Sequence, residues 1–179
     1  NLSRSWEISI NNKTSDVDLF KQLSRSNPGS FAALIKTDTA TIISSSPERL
    51  VKSKNNHVET RPIAGTRPRS SKDTVDTELA EELLAHPKEK AEHIMLIDLE
   101  RNDLGRICIP GSVKVNELMT LETYQHVHHI VSNVEGEIRA DVTPVDIIKA
   151  VFPGGTITGC PKVHCMEILA EMENEARSA

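Results

Sequence analysis

The chain has 179 residues, enough for one domain with a sizeable core, and a formal net charge of −5. No basic block stands out, which argues against nucleic acid as the main partner, and neither a membrane-spanning apolar run nor a signal peptide is visible. Hydrophobic residues make up 37% and aromatics only 3%, so the core must be mainly aliphatic; Cys108, Cys160 and Cys165 lack metal-site spacing and suit buried or inert thiols in a reducing cytoplasm.

Residues 6–10 carry a weak strand signal. Asp16–Ser26 reads as a helix, because Val17, Leu19, Phe20 and Leu23 recur at helical spacing behind a Ser15 or Asp16 cap. Asn27-Pro28-Gly29 stops it. Phe31–Lys36 and 39–45 then read as paired strands about a Thr37-Asp38 turn. Ser46-Pro47-Glu48-Arg49 closes the second strand, where a carboxylate is ordinarily solvated or paired with a neighbouring arginine. Another strand at 57–61 enters Pro62-Ile63-Ala64-Gly65-Thr66, which reads as a loop.

Helices follow at 77–85 and 87–102, broken at His86-Pro87. Glu89 and Glu92 are three apart and project from one helical face. Flanked by Lys88 and Lys90, they read in isolation as a solvated acidic face. Arg101, Asp103 and Arg106 read as a structural charge network closed by Gly105. Strands are predicted at 113–121 and 127–134, punctuated by Gly111 and Gly136. Alternation puts His129 on the strand face opposite His126 and His128, and no cysteine or carboxylate stands at ligand spacing, which weakens a zinc reading. Residues 143–151 form a short helix with Thr143 as cap and Pro144 at its start.

That helix delivers the chain to Phe152-Pro153-Gly154-Gly155-Thr156-Ile157-Thr158-Gly159-Cys160-Pro161-Lys162-Val163, with three glycines, two threonines and two prolines. A helical pattern starts directly behind it, with Val163, Met166, Ile168, Leu169 and Met172 near one face and Pro161 suited to the first turn. Glycines allow close backbone approach, and N–H groups at a loop-to-helix junction favour an anion. The stretch reads as a small-anion site or as a structural turn and cap. It is not a P-loop: Gly155 and Gly159 enclose three residues rather than four, and Val163 follows Lys162 where Ser or Thr is needed. Lys162 either helps electrostatically or faces solvent, and Glu167, Glu171 and Glu173 read as surface charges.

The phrase FPGGTITGCPKV resembles a signature of the chorismate-utilising enzymes, above all the large subunits of aminodeoxychorismate synthase and anthranilate synthase. Ser46-Pro47-Glu48-Arg49, Pro62-Ile63-Ala64-Gly65-Thr66, Ala91-Glu92-His93 leading into Asp98-Leu99-Glu100-Arg101-Asn102-Asp103, and His128-His129-Ile130-Val131-Ser132 match in the same order, from about residue 27 to the end. The resemblance implies an α+β fold. It would be part of a layered α/β/β/α sandwich, mainly antiparallel sheet with helices outside. Family members are more than twice as long, so the expectation is an internal fragment: 1–26 ending an N-terminal region or forming a lead-in helix, and 27–179 an incomplete chorismate-binding catalytic domain lacking its C-terminal part. Its open sheet edges would make the isolated segment poorly soluble and inactive.

By the same resemblance, Glu48 is the general acid that protonates the departing ring hydroxyl, and His129 touches the ring near it. Gly65 and Thr66 hold one substrate carboxylate, while Gly155 and Thr156 meet a second. Glu92, with Glu89 outside it, binds Mg²⁺, a hard cation served by few carboxylates plus water and substrate oxygens. Ala64 departs from many aminodeoxychorismate synthases, which carry a nucleophilic lysine there, and His164 stands where arginine is usual. The implied reaction is Mg²⁺-dependent amination of chorismate, with ammonia from a glutamine amidotransferase partner. The His-His pair, Gly154-Gly155 and Thr156-Ile157-Thr158 favour aminodeoxychorismate synthase component I and folate synthesis. Ala64 and Arg67-Pro68-Arg69 favour anthranilate synthase component I and tryptophan synthesis. A non-catalytic, amidotransferase-binding scaffold is the reading from another class, and intact Glu48, Thr66, Glu92, His129 and Thr156 speak against it.

Overall fold

The computed structural model describes residues 2–9, 14–173, 175 and 177 of the chain. They divide into two units, one formed by the residues up to Arg49 with those from Ile168 onward, the other by Leu50–Glu167.

In the first unit, helix α1 (Asp16–Ser26) begins where Ser15 Oγ accepts the Asp18 N–H at 3.2 Å, with Asp16 and Asp18 in the first turn and Arg25 in the last. Those charges complement the helix dipole. Strands β1 (Phe31–Lys36) and β2 (Thr41–Ser46) pair antiparallel, Leu34 opposite Ile43. The Thr37 hydroxyl donates to the Ala40 carbonyl at 2.9 Å and closes the turn. Thr41 Oγ1 donates to Asp16 at 2.8 Å and ties α1 to β2. The strand expected at 6–10 is not formed over 6–9, where Trp6 and Ile8 are exposed and no strand among the described residues pairs with them; Ile10 lies outside the described residues. Glu173, expected as a surface charge, instead accepts from Arg177 and from the Ser3 N–H, and these donors hold its carboxyl down at about 2.

The second unit is built on an antiparallel sheet whose middle strand is the last to arrive. Strands β3 (Lys52–Lys54) and β4 (His57–Thr60) form a hairpin, followed by β5 (Ile63–Pro68). Helices α2 (Asp73–Ala85) and α3 (Pro87–Gly105) come next, then strands β6 (Lys114–Thr123) and β7 (Val127–Glu137). One edge of β7 pairs with β6; the other holds β4 opposite its C-terminal end and β5 opposite its start, Thr60 facing Val134 and Thr66 facing His129. From Ile63 onward the stretch Pro62-Ile63-Ala64-Gly65-Thr66 is therefore strand and not loop, with Pro62 just ahead of it. Pro and Gly mark it as a turn locally, but β7, some sixty residues later, supplies its hydrogen bonds, with a register shift between Ile63 and Thr66 that absorbs the irregularity.

Seven consecutive residues of β7, His128 to Val134, are buried, so both sheet faces are covered there. The main core joins Val58, Val134 and Ile138 to Ile97, Leu104 and Ile107, and to Ile147, Ala150 and Val151 of α4 (Pro144–Val151). Each such fully buried aliphatic side chain is worth about 1.5–3 kcal/mol. Helix α4 starts with a reciprocal capping box, Thr143 accepting the Asp146 N–H while Asp146 accepts the Thr143 N–H at 2.9 Å. The glycine stretch holds a single turn, α5 (Gly155–Thr158), before α6 (Lys162–Met172), which crosses the boundary between the units. Pro161 stands one residue ahead of α6, its carbonyl accepting the Cys165 N–H at 3.0 Å. The predicted apolar face of α6 is present but uncovered, Val163 being 69% exposed. Cys108 is buried, whereas Cys160 is exposed and Cys165 half-buried. No helix of the described residues is long and apolar enough to cross a membrane.

Candidate active site

The site is assembled around Gly65. Its φ of +87° lies in the left-handed region, and a Cβ there would stand 3.0 Å from Leu83 Cδ1 and 3.1 Å from Glu89 Oε2. Only glycine fits on both counts. The bulge places Thr66 opposite His129, whose Nδ1 is 2.9 Å from Thr66 Oγ1. His129 is 9% exposed, and burial lowers its pKa against the opposing effects of a hydrogen bond to the Gly65 backbone and the charge of Glu122, so the ring is neutral at pH 7. The Tyr124 ring meets it edge-on, centroids 5.6 Å apart, and the Tyr124 hydroxyl donates to Glu122, itself paired with Arg61. Tyr124, Glu122 and Arg61 escape sequence reading, although Tyr124 is the chain's one tyrosine and stands five residues before His129.

Strand alternation separates His128 from His129 as expected, whereas His126 falls ahead of β7 and not on it. His128 is buried between Thr123 Oγ1 at 2.9 Å and Asp76 at 3.1 Å, and His126 lies exposed in the turn before β7.

Glu89 and Glu92 rise one turn apart on α3. Glu89 is half-buried beside Gly65 and takes Arg67 at 3.3 Å; Glu92 is exposed, with Lys88 at 3.6 Å. Two carboxylate oxygens of this kind fit a hard cation that keeps water and ligand oxygens. Among the described residues, the one group of three convergent ligand residues lies elsewhere, at His57, Glu59 and Glu135. There Lys52 neutralises Glu59 at 2.9 Å and Lys114 neutralises Glu135 at 3.2 Å, which makes it an ion-pair network.

The glycine stretch leans on the other end of α3. A Cβ on Gly155 would stand 3.1 Å from Leu99 Cδ1 and 3.5 Å from Glu100 Oε1. Thr156 is half-buried, and the Thr158 hydroxyl donates to the Gly154 carbonyl at 3.0 Å. Lys162 does not face solvent: it pairs with the buried Asp103 and donates to the Val151 carbonyl at 3.3 Å. Arg101, Asp103 and Arg106 accordingly form no single network, since Arg101 turns outward to Asp98 at 3.0 Å. Glu100 is buried and pushed up to about 7, mainly by loss of solvent and against the opposing effects of the Thr60 hydroxyl, Lys162 and Gly155. Glu48 belongs to the first unit, where the Ser46 hydroxyl donates to its carbonyl at 2.8 Å.

An antiparallel sheet flanked by helices, with a glycine-centred carboxylate and histidine site, defines the class, and the family model described as chorismate binding enzyme matches residues 1–179. The chain belongs to that family. Aminodeoxychorismate synthase component 1 of Bacillus subtilis is 55% identical over 159 residues, 89% of this chain and 34% of that protein. Anthranilate synthase component 1 of Synechocystis is 52% identical over 164 residues, 89% of this chain and 32% of that one. The crystal structure of anthranilate synthase component I from Streptococcus pneumoniae superposes with a TM-score of 0.82 at 38% identity, covering 93% of this chain and 36% of that one. The chain thus spans about a third of the length of these relatives.

Proposed function

We propose that this chain carries a chorismate site of an aminating synthase, and that the enzyme is aminodeoxychorismate synthase component I. It would convert chorismate to 4-amino-4-deoxychorismate for 4-aminobenzoate and folate. The observation that carries the site is the meeting of Thr66, His129 and Glu89 at Gly65. The 55% identical relative supports the branch.

In this reading Gly65 and Thr66 hold one carboxylate of chorismate, and the turn at Gly155 and Thr156 holds the other. A ring C–O bond breaks as the C–N bond to ammonia forms, and the hydroxyl leaves as water with a proton from Glu48. His129, neutral and fixed by Thr66 and Tyr124, orients the departing hydroxyl without adding a charge. Glu92, with Glu89 beside it, would hold Mg²⁺, whose positive charge would neutralise a substrate carboxylate. Arg67 keeps Glu89 in place from the protein side. Ammonia comes from a glutamine amidotransferase partner, in the cytoplasm.

Anthranilate synthase component I is the second reading, favoured by Ala64. That residue packs with Leu96 and Leu99 in an apolar cluster, so no lysine nucleophile stands there. The test gives the intact protein chorismate, Mg²⁺ and ammonium and identifies the product. A product that yields 4-aminobenzoate only after the matching lyase is added supports the folate branch, with ammonia attacking directly. Fluorescent anthranilate moves the enzyme to the tryptophan branch. No turnover of chorismate in either assay revives the scaffold reading.

A further inference from the structure

The second acidic pair of α3, Glu100 and Asp103, is used by neither the Gly65 site nor the metal. Asp103 has its own cation in Lys162. Glu100, 7% exposed, has no cation in contact among the described residues; Lys162 reaches it only through space. A buried carboxyl without an ion-pair partner is unfavourable unless its hydrogen bonds compensate. What Glu100 does have is the glycine turn. The Gly155 backbone lies against its carboxyl, so closely that a Cβ there would stand 3.5 Å from Oε1. The Thr60 hydroxyl, 1% exposed, adjoins the carboxyl without a well-formed hydrogen bond.

We propose that Glu100 is the positioning residue of the glycine turn: it takes the Gly155 N–H, sets the shape of 154–156, and leaves Thr156 to meet a ligand carboxylate. This rests on the reading that the turn receives a carboxylate of chorismate, and it revises the part given to Gly155, whose amide this contact would engage. A protonated Glu100 does this best. Its carbonyl oxygen accepts from Gly155 while its O–H donates to Thr60 Oγ1, satisfying a hydroxyl that otherwise lacks a partner. A charged carboxylate would repel the incoming one. Burial favours the neutral form, Asp103 on the same helix adds to it, and Lys162 from α6 opposes it.

Two substitutions in the intact protein separate the acceptor from the charge. Glu100→Gln keeps the volume and the acceptor; Glu100→Met keeps the volume and deletes the acceptor. Glu100→Gln should leave KM for chorismate within about twofold of wild type, while Glu100→Met should raise it about tenfold with kcat little changed, the scale of one lost hydrogen bond. A second readout needs no substrate. The Gly155 amide resonance should follow the titration of Glu100 near pH 7 in the wild type and lose that step in Glu100→Gln. An unchanged KM in Glu100→Met, or an equal rise in both variants, overturns the positioning role; a Gly155 step that persists in Glu100→Gln overturns the contact. If the wild type neither binds nor turns over chorismate, the chorismate reading fails, and the Gly155 titration still decides whether Glu100 holds the turn.

Discussion

Helix α3 carries one acidic spacing twice. Glu89 and Glu92 are three apart, Glu100 and Asp103 are three apart, and the two pairs are offset by 100 − 89 = 103 − 92 = 11 residues. Eleven residues are about three turns, so both pairs fall on one helical face. At each end a glycine presses on the first carboxyl, Gly65 on Glu89 and Gly155 on Glu100. The surroundings then diverge. Glu92 is half exposed and paired with Lys88, and Glu89 is held by Arg67 at the edge of the sheet. Glu100 and Asp103 are sealed beneath the glycine turn and the start of α6. Identical local spacing therefore yields an accessible oxygen pair at one end and a buried structural pair at the other, and tertiary packing makes the choice.

The buried end should be the more costly to disturb. Asp103→Ala strands the Lys162 ammonium, 12% exposed, beside Glu100, and such a broken buried pair costs about 3–5 kcal/mol. Replacing both partners, Asp103→Leu with Lys162→Met, should recover most of that loss in a denaturant titration, because neither charge then needs solvent. Glu92→Ala, at the accessible end, should change stability by less than about 0.5 kcal/mol. Equal effects at both ends would dissolve the contrast.

Next in size is a pH effect that the two ends hide from each other. His93, beside Glu92, is fully buried and lowered by burial from 6.5 to about 4, while Glu100 is raised from 4.5 to about 7. Between pH 6.5 and 4 the unfolded chain takes up the His93 proton and the folded chain does not, so that stability is present above 6.5 and lost as pH falls. For Glu100 the folded chain holds the proton longer, so its stability is present below 4.5 and lost as pH rises through 7. Each span is worth on the order of 3 kcal/mol at 1.36 kcal/mol per pH unit, and the two slopes cancel between 4.5 and 6.5. Glu100→Gln should unmask a stability that rises from pH 4 to 6.5, read from urea midpoints at each pH. A flat profile in that variant would mean His93 is not held neutral.

The glycines offer a smaller contrast. Gly65→Ala must adopt a φ of +87° and push Leu83 and Glu89 aside, costing about 2 kcal/mol. Gly155→Ala meets only crowding from Leu99 at 3.1 Å and should cost about 1 kcal/mol. Thermal midpoints of the two variants should therefore rank Gly65→Ala lower.

Much of this architecture is written in local signals. The Ser15 and Thr143 caps give α1 and α4 their starts, and strand alternation turns His129 away from His128. What stays hidden depends on distant partners. β5 reads as a loop because its pairing comes from β7, and Lys162 reads as ambiguous because Asp103 stands fifty-nine residues earlier in the chain. Helix α2 starts at Asp73, before any apolar residue announces it and without a side-chain cap on Lys72. Glu100 sits in a run of charges, Glu-Arg-Asn-Asp, that looks solvated, and only the packing of β4 and the glycine turn buries it.

A modest expected effect tests the Gly65 end on its own terms. Tyr124→Phe removes the hydroxyl that donates to Glu122 but leaves the ring edge-on to His129. Glu122 keeps Arg61, and Arg61 keeps Glu117, so no charge is stranded and water can replace the lost donor. The loss should be about 1 kcal/mol, the net value of one hydrogen bond. Glu122 also raises the His129 pKa through its charge, so a looser Glu122 should let that pKa fall slightly further below its ordinary value. An NMR titration of the His129 ring alongside the denaturation curve measures both. A loss near that of Asp103→Ala would show that the Gly65 end is as tightly sealed as the Glu100 end, and that the exposure of Glu92 misrepresents its surroundings.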